Sequence, residues 1–333
     1  MNFQILSLSG GGFFGLYTIS VLAELESGIG RPIASCFDLL AGTSIGGIIA
    51  LALAAEIPAD QIRDAFEKNG TSVFSSRPVP QVWITKLVDF CRSLSSAKYN
   101  GEVLRKMIVQ MLGEDTLMGQ LDHPVIIPAV NLTKGKPQTF KTDHHPNFRI
   151  DHTRKVIDVA LATSAAPTYF PLAAVGDELF ADGGLYANSP DLIGLHEAEH
   201  FFEKKTEDIS ILSIGSTTSK FSFSHQGGVN LGSFAWARKL PRVLLSSQQL
   251  SVKYMLEHKL GSNYLRIDAE QSPEQERDLA LDVATVAAQK TIRGLASSSV
   301  QGVLNHPTLK QILGRTASQP VFYYRQKPGT GAK

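Results

Sequence analysis

The run Gly42-Thr43-Ser44-Ile45-Gly46 fits G-x-S-x-G, a pattern that points to nucleophilic catalysis. It stands between the short apolar stretch Phe37-Asp38-Leu39-Leu40-Ala41 and the strongly apolar residues 48–56. A strand before and a helix after are the context that a nucleophile elbow requires. Gly42 and Gly46 let the backbone turn sharply without Cβ clashes. Ser44 is then delivered to a helix N-terminus, where N–H groups favour a developing negative charge. The plainer alternative is a tight turn in which Ser44 only caps the helix. Upstream, Gly10-Gly11-Gly12 follows an apolar stretch, and successive glycines let main-chain N–H groups converge on one spot, as an oxyanion hole needs. A rival reading exists, because Gly10, Gly12 and Gly15 also satisfy the dinucleotide fingerprint G-x-G-x-x-G. That reading wants an acid closing the next strand, whereas Asp38 opens it. Downstream, Asp182-Gly183-Gly184 presents a carboxylate just after Leu179-Phe180-Ala181. Alone this is an ordinary Asp-Gly turn. Paired with the two glycine motifs, Asp182 becomes a candidate base for Ser44.

Other side chains compete for these roles. His196, His200, His225, His258 and His306 all follow Asp182 and could supply the last member of a Ser-Asp-His order. His196 and His200 are four apart in Leu195-His196-Glu197-Ala198-Glu199-His200 and read as a solvated helix face rather than a metal face. Trp83, Ile84, Leu87, Val88, Cys91 and Leu94 share one helical face, which reads as core-facing or, as the sharper alternative, as a lid. Phe234-Ala235-Trp236-Ala237-Arg238-Lys239-Leu240-Pro241-Arg242 mixes aromatics with cations. It is read as a surface loop, with lipid-headgroup or nucleotide contact as the alternative.

The elements that must position the glycine motifs alternate between strand and helix. Residues 3–9 read as a strand, 16–26 as a helix stopped by Gly28 and Gly30, 37–41 as a second strand, and 48–56 as a buried helix stopped by Pro58. Residues 59–122 look mainly helical. Strands are expected at 125–131 and 138–142 around the turn Lys134-Gly135-Lys136-Pro137, then a helix at 155–163 and strands at 179–181 and 209–214. Residues 250–315 look mostly helical, and 326–333 read as a disordered tail. Without repeats or a linker, residues 1–325 are expected to form one α/β domain with helical additions.

Composition sets the outer limits. Of 333 residues, 43% are apolar and 19% charged, a globular profile. Lys+Arg of 32 against Asp+Glu of 31 leaves a net charge of +1, so no bulk field favours DNA, RNA or an anionic bilayer, and any such contact has to come from a local patch. Cys36 and Cys91 are isolated, which argues against structural zinc and for a reducing compartment. The N-terminus lacks the basic start of a signal peptide, and the apolar run 48–55 covers about half a bilayer span. The expectation is a soluble cytoplasmic protein.

Taken together and in order, Gly10-Gly11-Gly12-Phe13-Phe14-Gly15, Gly42-Thr43-Ser44-Ile45-Gly46-Gly47 and Asp182-Gly183-Gly184 resemble the signature of patatin-like phospholipases. Ala162-Thr163-Ser164-Ala165-Ala166-Pro167-Thr168-Tyr169-Phe170 resembles the segment that precedes the family's aspartate. The resemblance spans roughly residues 3–215. It implies a three-layer α/β/α fold with a mainly parallel central sheet, a Ser44–Asp182 dyad without histidine, and no metal or cofactor for the chemistry. It also implies oxyanion donors at Gly11 and Gly12, with Gly10 shaping the turn. Two positions depart from the family pattern: Ser9 stands where an acid is usual, and Phe14 where a basic residue is usual. The helical C-terminal third is similar to phospholipase effectors of anti-phage signalling, in which a cyclic dinucleotide activates attack on membrane phospholipid. That likeness implies a phospholipid substrate at the inner membrane surface, transient membrane association and a cyclic dinucleotide activator; it leaves a homo-oligomer open. A nucleotide-binding protein and a degenerate scaffold of the same fold are the competing functions.

Overall fold

The computed structural model describes residues 3–76, 97–217, 230 and 232–325. Its centre is an eight-stranded sheet of order β5-β6-β3-β2-β1-β7-β8, with β4 paired to β3 off that path. β1 (Phe3–Leu8) lies between β2 (Leu39–Gly42) and β7 (Ile209–Ile214), parallel to both, and β8 (Tyr264–Ile267) extends the parallel part beyond β7. The strands alternate between two apolar faces, as period-two side chains in a sheet covered on both sides must. Leu6, Leu8, Leu212, Ile214, Leu265 and Ile267 point into the larger core. Phe3, Ile5, Ile209, Ile211 and Tyr264 point into the smaller one.

Helices cover both faces, giving three α/β/α layers. The larger core is closed by α1 (Gly15–Ile29), α2 (Ile45–Ala54), α3 (Ala59–Val73), α4 (Glu102–Leu112) and α5 (Val156–Ser164). A single turn, α6 (Gly184–Ala187), and α7 (Asp191–His200) follow β6. The smaller core is closed by α7 and by the long α8 (Ser233–Leu260), through Leu195, Ala198, Leu256 and Leu260. After the short α9 (Gln275–Asp278), α10 (Val286–Val303) and α11 (Pro307–Gly314) return to the larger core through Ile292, Ala296, Leu309 and Ile312.

The feature that builds the site is a change of partner along β3 (Val125–Asn131). Its first half runs parallel to β2, with Ala41 opposite Ile126. Its second half pairs antiparallel with β6 (Glu178–Asp182), with Ala129 opposite Asp182. β6 therefore ends where β2 ends, and Asp182 faces the turn that follows Gly42. β4 (Lys136–Lys141) and β5 (Ala173–Val175) complete this antiparallel edge.

Several expectations differ in detail. The first helix runs through Gly28 and ends at Gly30, which adopts φ +66° as a left-handed cap. The second begins at Ile45, directly after the serine, rather than at residue 48. Residues 250–315, expected to be mostly helical, contain β8, a four-residue strand too short to show a period. Residues 234–242 lie in α8 and not in a surface loop, because Pro241 is accommodated inside that helix. The face at Trp83 to Leu94, His225 and the tail 326–333 lie outside the described residues.

Candidate active site

Ser44 adopts φ +56°, ψ −126°, a conformation L residues avoid. Close packing holds it there. A Cβ on Gly42 would fall 2.2 Å from Gly46 O, and one on Gly46 would fall 2.4 Å from Leu8 O. Glycine is thus required at both positions for α2 to start against the end of β1. The Ser44 N–H donates to Thr163 Oγ1 at 3.0 Å, and Thr163 Oγ1 donates to Pro128 O at 2.6 Å, so α5 and β3 brace the turn.

Across this turn, Ser44 Oγ donates to Asp182 Oδ2 at 2.6 Å. The second carboxylate oxygen accepts the Gly184 N–H at 2.6 Å. Asp182 is 5% exposed, and burial pushes its carboxyl up from 3.8 to about 6 against the pull of these two hydrogen bonds. Its conjugate base is therefore close in proton affinity to what a general base at neutral pH needs. Of the downstream histidines, His196 and His200 stack on each other at 5.4 Å on the outer face of α7, His258 Nδ1 contacts Tyr254 O, and His306 caps α11. None of these four meets Asp182.

The glycine loop passes over the serine. A Cβ on Gly10 would stand 3.1 Å from Ser44 Cβ. The Gly10 N–H is already used, donating to Asn188 O at 2.9 Å, while Phe13 N donates to Leu281 O and Phe14 N to Gly11 O. No acceptor among the described residues takes the N–H of Gly11 or Gly12, and both residues, like Ser44, are part-exposed. Two unclaimed donors thus lie on the loop beside an accessible hydroxyl. Gly12 adopts φ +55°, and a Cβ there would fall 2.3 Å from Leu281 O. Phe13, Phe74, Tyr99 and Phe170 form an aromatic wall next to the loop, with centroid spacings of 5.7 Å for Phe13–Phe74 and 5.6 Å for Tyr99–Phe170.

Some positioning groups have no sequence signal. Asn188 grips Gly10 from both sides: besides its backbone O, its Nδ2 donates to Gly10 O at 3.2 Å, and Ser216 Oγ donates to the same oxygen at 2.8 Å. Beneath the loop, Ser9 accepts from Arg266 Nη1 at 3.3 Å; the same nitrogen donates to Ser189 and Ser213. Asp191 accepts from Ser213 and Tyr264 at 2.8 and 2.7 Å, and from Ser7. At the two departures, Ser9 joins this buried network and Phe14 is buried in the core. Asp38, which a dinucleotide reading would want near the loop, sits at the opposite end of the sheet and pairs with Arg315 at 2.7 and 2.9 Å.

A serine on a strained strand-to-helix turn, bonded to an aspartate and lying under a glycine loop in an α/β/α fold, is an arrangement of serine hydrolases that work without histidine. The patatin-like phospholipase family model matches residues 6–192. A cGAMP-activated phospholipase of Pseudomonas aeruginosa is 42% identical over 97% of this chain and 95% of its own length. Proteins of the same name from Vibrio cholerae and Escherichia coli are 40% and 37% identical over 86% and 91% of this chain and 86% and 90% of their own lengths. The chain belongs to the patatin-like phospholipase family.

Proposed function

We propose that this protein is a cGAMP-activated phospholipase that cleaves membrane phospholipid esters in anti-phage defence, with Ser44 as nucleophile and Asp182 as general base. The observation that carries the chemistry is the 2.6 Å bond from Ser44 Oγ to Asp182 Oδ2 beside the unclaimed amides of Gly11 and Gly12. Ser44 Oγ attacks the ester carbonyl carbon while its proton passes to Asp182. The carbonyl oxygen becomes an oxyanion and is met by the Gly11 and Gly12 N–H groups, a stabilisation for which each donor typically contributes about 10²–10³ in turnover. Collapse expels the lysophospholipid oxygen, which takes the proton from Asp182 and leaves an acyl ester on Ser44. Water then gives a proton to Asp182 and adds to the acyl carbon; collapse frees the fatty acid and returns the proton to Ser44. Protein groups alone carry these steps.

The names of the relatives support cGAMP as the activator, since the likeness runs almost end to end. A cytoplasmic protein that meets the inner membrane surface only when activated fits both. The test is hydrolysis of a fluorogenic phospholipid by wild type, Ser44→Ala and Asp182→Asn, each with and without cGAMP and other cyclic dinucleotides. Hydrolysis by wild type with cGAMP alone, lost in both variants, is the expected result. No hydrolysis under any condition defeats the enzyme reading and leaves a scaffold.

A further inference from the structure

Besides Asn188 and Ser216, the glycine loop meets residues 279–285, the link between α9 and α10. Leu281 O accepts the Phe13 N–H at 2.7 Å, and a Cβ on Gly12 would fall 2.3 Å from the same oxygen. One carbonyl thus fixes the residue that follows the two unclaimed amides and abuts the glycine that carries one of them. The position of Leu281 O therefore decides where the Gly12 amide stands.

The neighbour of Leu281 fixes it in turn. Asp282 is 7% exposed, and its Oδ2 accepts from Lys98 Nζ at 2.5 Å and from Tyr99 Oη at 2.9 Å. The Lys98 side chain is 40% exposed, so the ion pair alone holds little. Tyr99 is the firmer anchor, because its ring packs against Phe74 at 6.2 Å and Phe170 at 5.6 Å. The Asp282 backbone O accepts the Ser75 N–H at 2.8 Å, and Ser75 O accepts the Ala284 N–H at 2.8 Å, a two-bond bridge around Val283. The Val283 N–H closes on Ala280 O at 3.2 Å, which keeps Leu281 inside a turn.

The partners of Asp282 belong to the other half of the site. Lys98 N and Tyr99 N donate to Thr168 O and Tyr169 O at 2.9 and 2.8 Å. The same stretch carries Ala165, whose O accepts the Asp182 N–H at 3.0 Å. Asp282 thus ties the loop of the two unclaimed amides to the stretch that holds the proposed base. Among the described residues no hydrogen bond joins Asp282 to Ser44 or Asp182, so it acts through Leu281.

We infer that Asp282 is a positioning residue for the reaction: it sets Leu281 O, and through it the Gly11 and Gly12 amides, where an oxyanion on the Ser44 adduct needs them. The inference rests on the hydrolase reading for the worth of that placement, since a misplacement of about 1 Å can cost about a hundred-fold in rate. The placement itself is read separately.

The test uses the full chain with cGAMP, a soluble short-chain ester, and the variants Asp282→Ala and Asp282→Asn, with rates taken per folded protein below the unfolding midpoint. Asp282→Ala is expected to lower kcat by about ten-fold or more with KM unchanged, as loss of transition-state contacts alone requires. Asp282→Asn keeps an oxygen that accepts from Tyr99 and should retain a kcat within about three-fold of wild type. Hydrogen exchange of the Phe13 amide, followed without substrate, should speed up by about ten-fold or more in Asp282→Ala and stay at the wild-type rate in Asp282→Asn. Wild-type kcat together with wild-type exchange at Phe13 in Asp282→Ala overturns the inference. So does an equal loss of kcat in Asp282→Asn, because charge rather than the hold on Tyr99 would then be at work. Should Asp282→Ala fail to fold, Tyr99→Phe removes one hydroxyl from a ring that stays packed, and the same signs are expected: lower kcat, unchanged KM, faster exchange at Phe13. An inert wild type defeats the hydrolase reading, and exchange at Phe13 still decides whether Asp282 holds the loop.

Discussion

Replacing Asp182 by Asn exchanges a buried charge for a neutral side chain of nearly the same shape, and the consequence for stability has a definite sign. Burial raises the Asp182 carboxyl from 3.8 to about 6, even though Ser44 Oγ and the Gly184 N–H both favour the charged form. At about 1.36 kcal/mol per unit, ionising this group costs the folded state on the order of 3 kcal/mol. Between about pH 4 and pH 6 the native protein holds a proton that the unfolded chain has released, so wild-type stability falls as pH rises through that window. The Asp182→Asn side chain has no such charge, and it can still accept from Gly184 N and meet Ser44 Oγ. The variant should therefore match wild type below about pH 4 and exceed it by roughly 3 kcal/mol above about pH 7. In a chain of this size that is a rise of about 5 °C in unfolding midpoint. Urea unfolding followed at a series of pH values reads the difference directly. A variant less stable than wild type at pH 8, or an offset that does not change with pH, would refute the reasoning. The same variant should lose about 10²–10⁴ in hydrolysis, the usual worth of a general base.

Three further outcomes follow from the same geometry. For wild type, kcat/KM measured with a soluble ester should rise with pH, reach half its maximum near the value of about 6 to which the Asp182 carboxyl is raised, and level off above it. Gly46→Ala puts a Cβ 2.4 Å from Leu8 O, a backbone atom that cannot swing away, so both the unfolding midpoint and hydrolysis should drop sharply, and a fully active Gly46→Ala would contradict the close packing of the elbow. Asn188→Ala removes the Nδ2 donor to Gly10 O and should lower kcat by about ten-fold or more with little change in KM, because the loop that carries the Gly11 and Gly12 amides loses a brace.

How much of this was visible in the sequence depends on whether a feature is local. Ser44 and the glycines around it announce their turn because a sharp strand-to-helix reversal needs small residues at fixed offsets. β1 and β7 are legible because every residue in them is buried, and their apolar runs are bounded by glycine or polar residues. Asp182 is legible only through its order after the two glycine motifs, since nothing local separates it from any other Asp-Gly. Asn188, Thr163, Ser216 and Arg266 act through contacts that close over long stretches of chain, 178 residues for Asn188 and Gly10, and no spacing rule reports such a contact. β8 escaped notice because four residues between helical segments carry too little pattern, and 234–242 read as a loop because Pro241 and adjacent cations usually break a helix.

The partner change along β3 divides the site between two separately made pieces. The glycine packing that shapes the serine turn is made by β1, β2 and α2, and its brace by β3 and α5, but the aspartate arrives on an antiparallel strand 138 residues after the serine. A polypeptide that ends before β6 holds the serine but not Asp182, the carboxylate that accepts its hydroxyl proton in the full chain. The proposed reactive pair thus comes into being only once β6 has paired with β3, so a chain interrupted before residue 178 would lack the general-base half of the proposed chemistry.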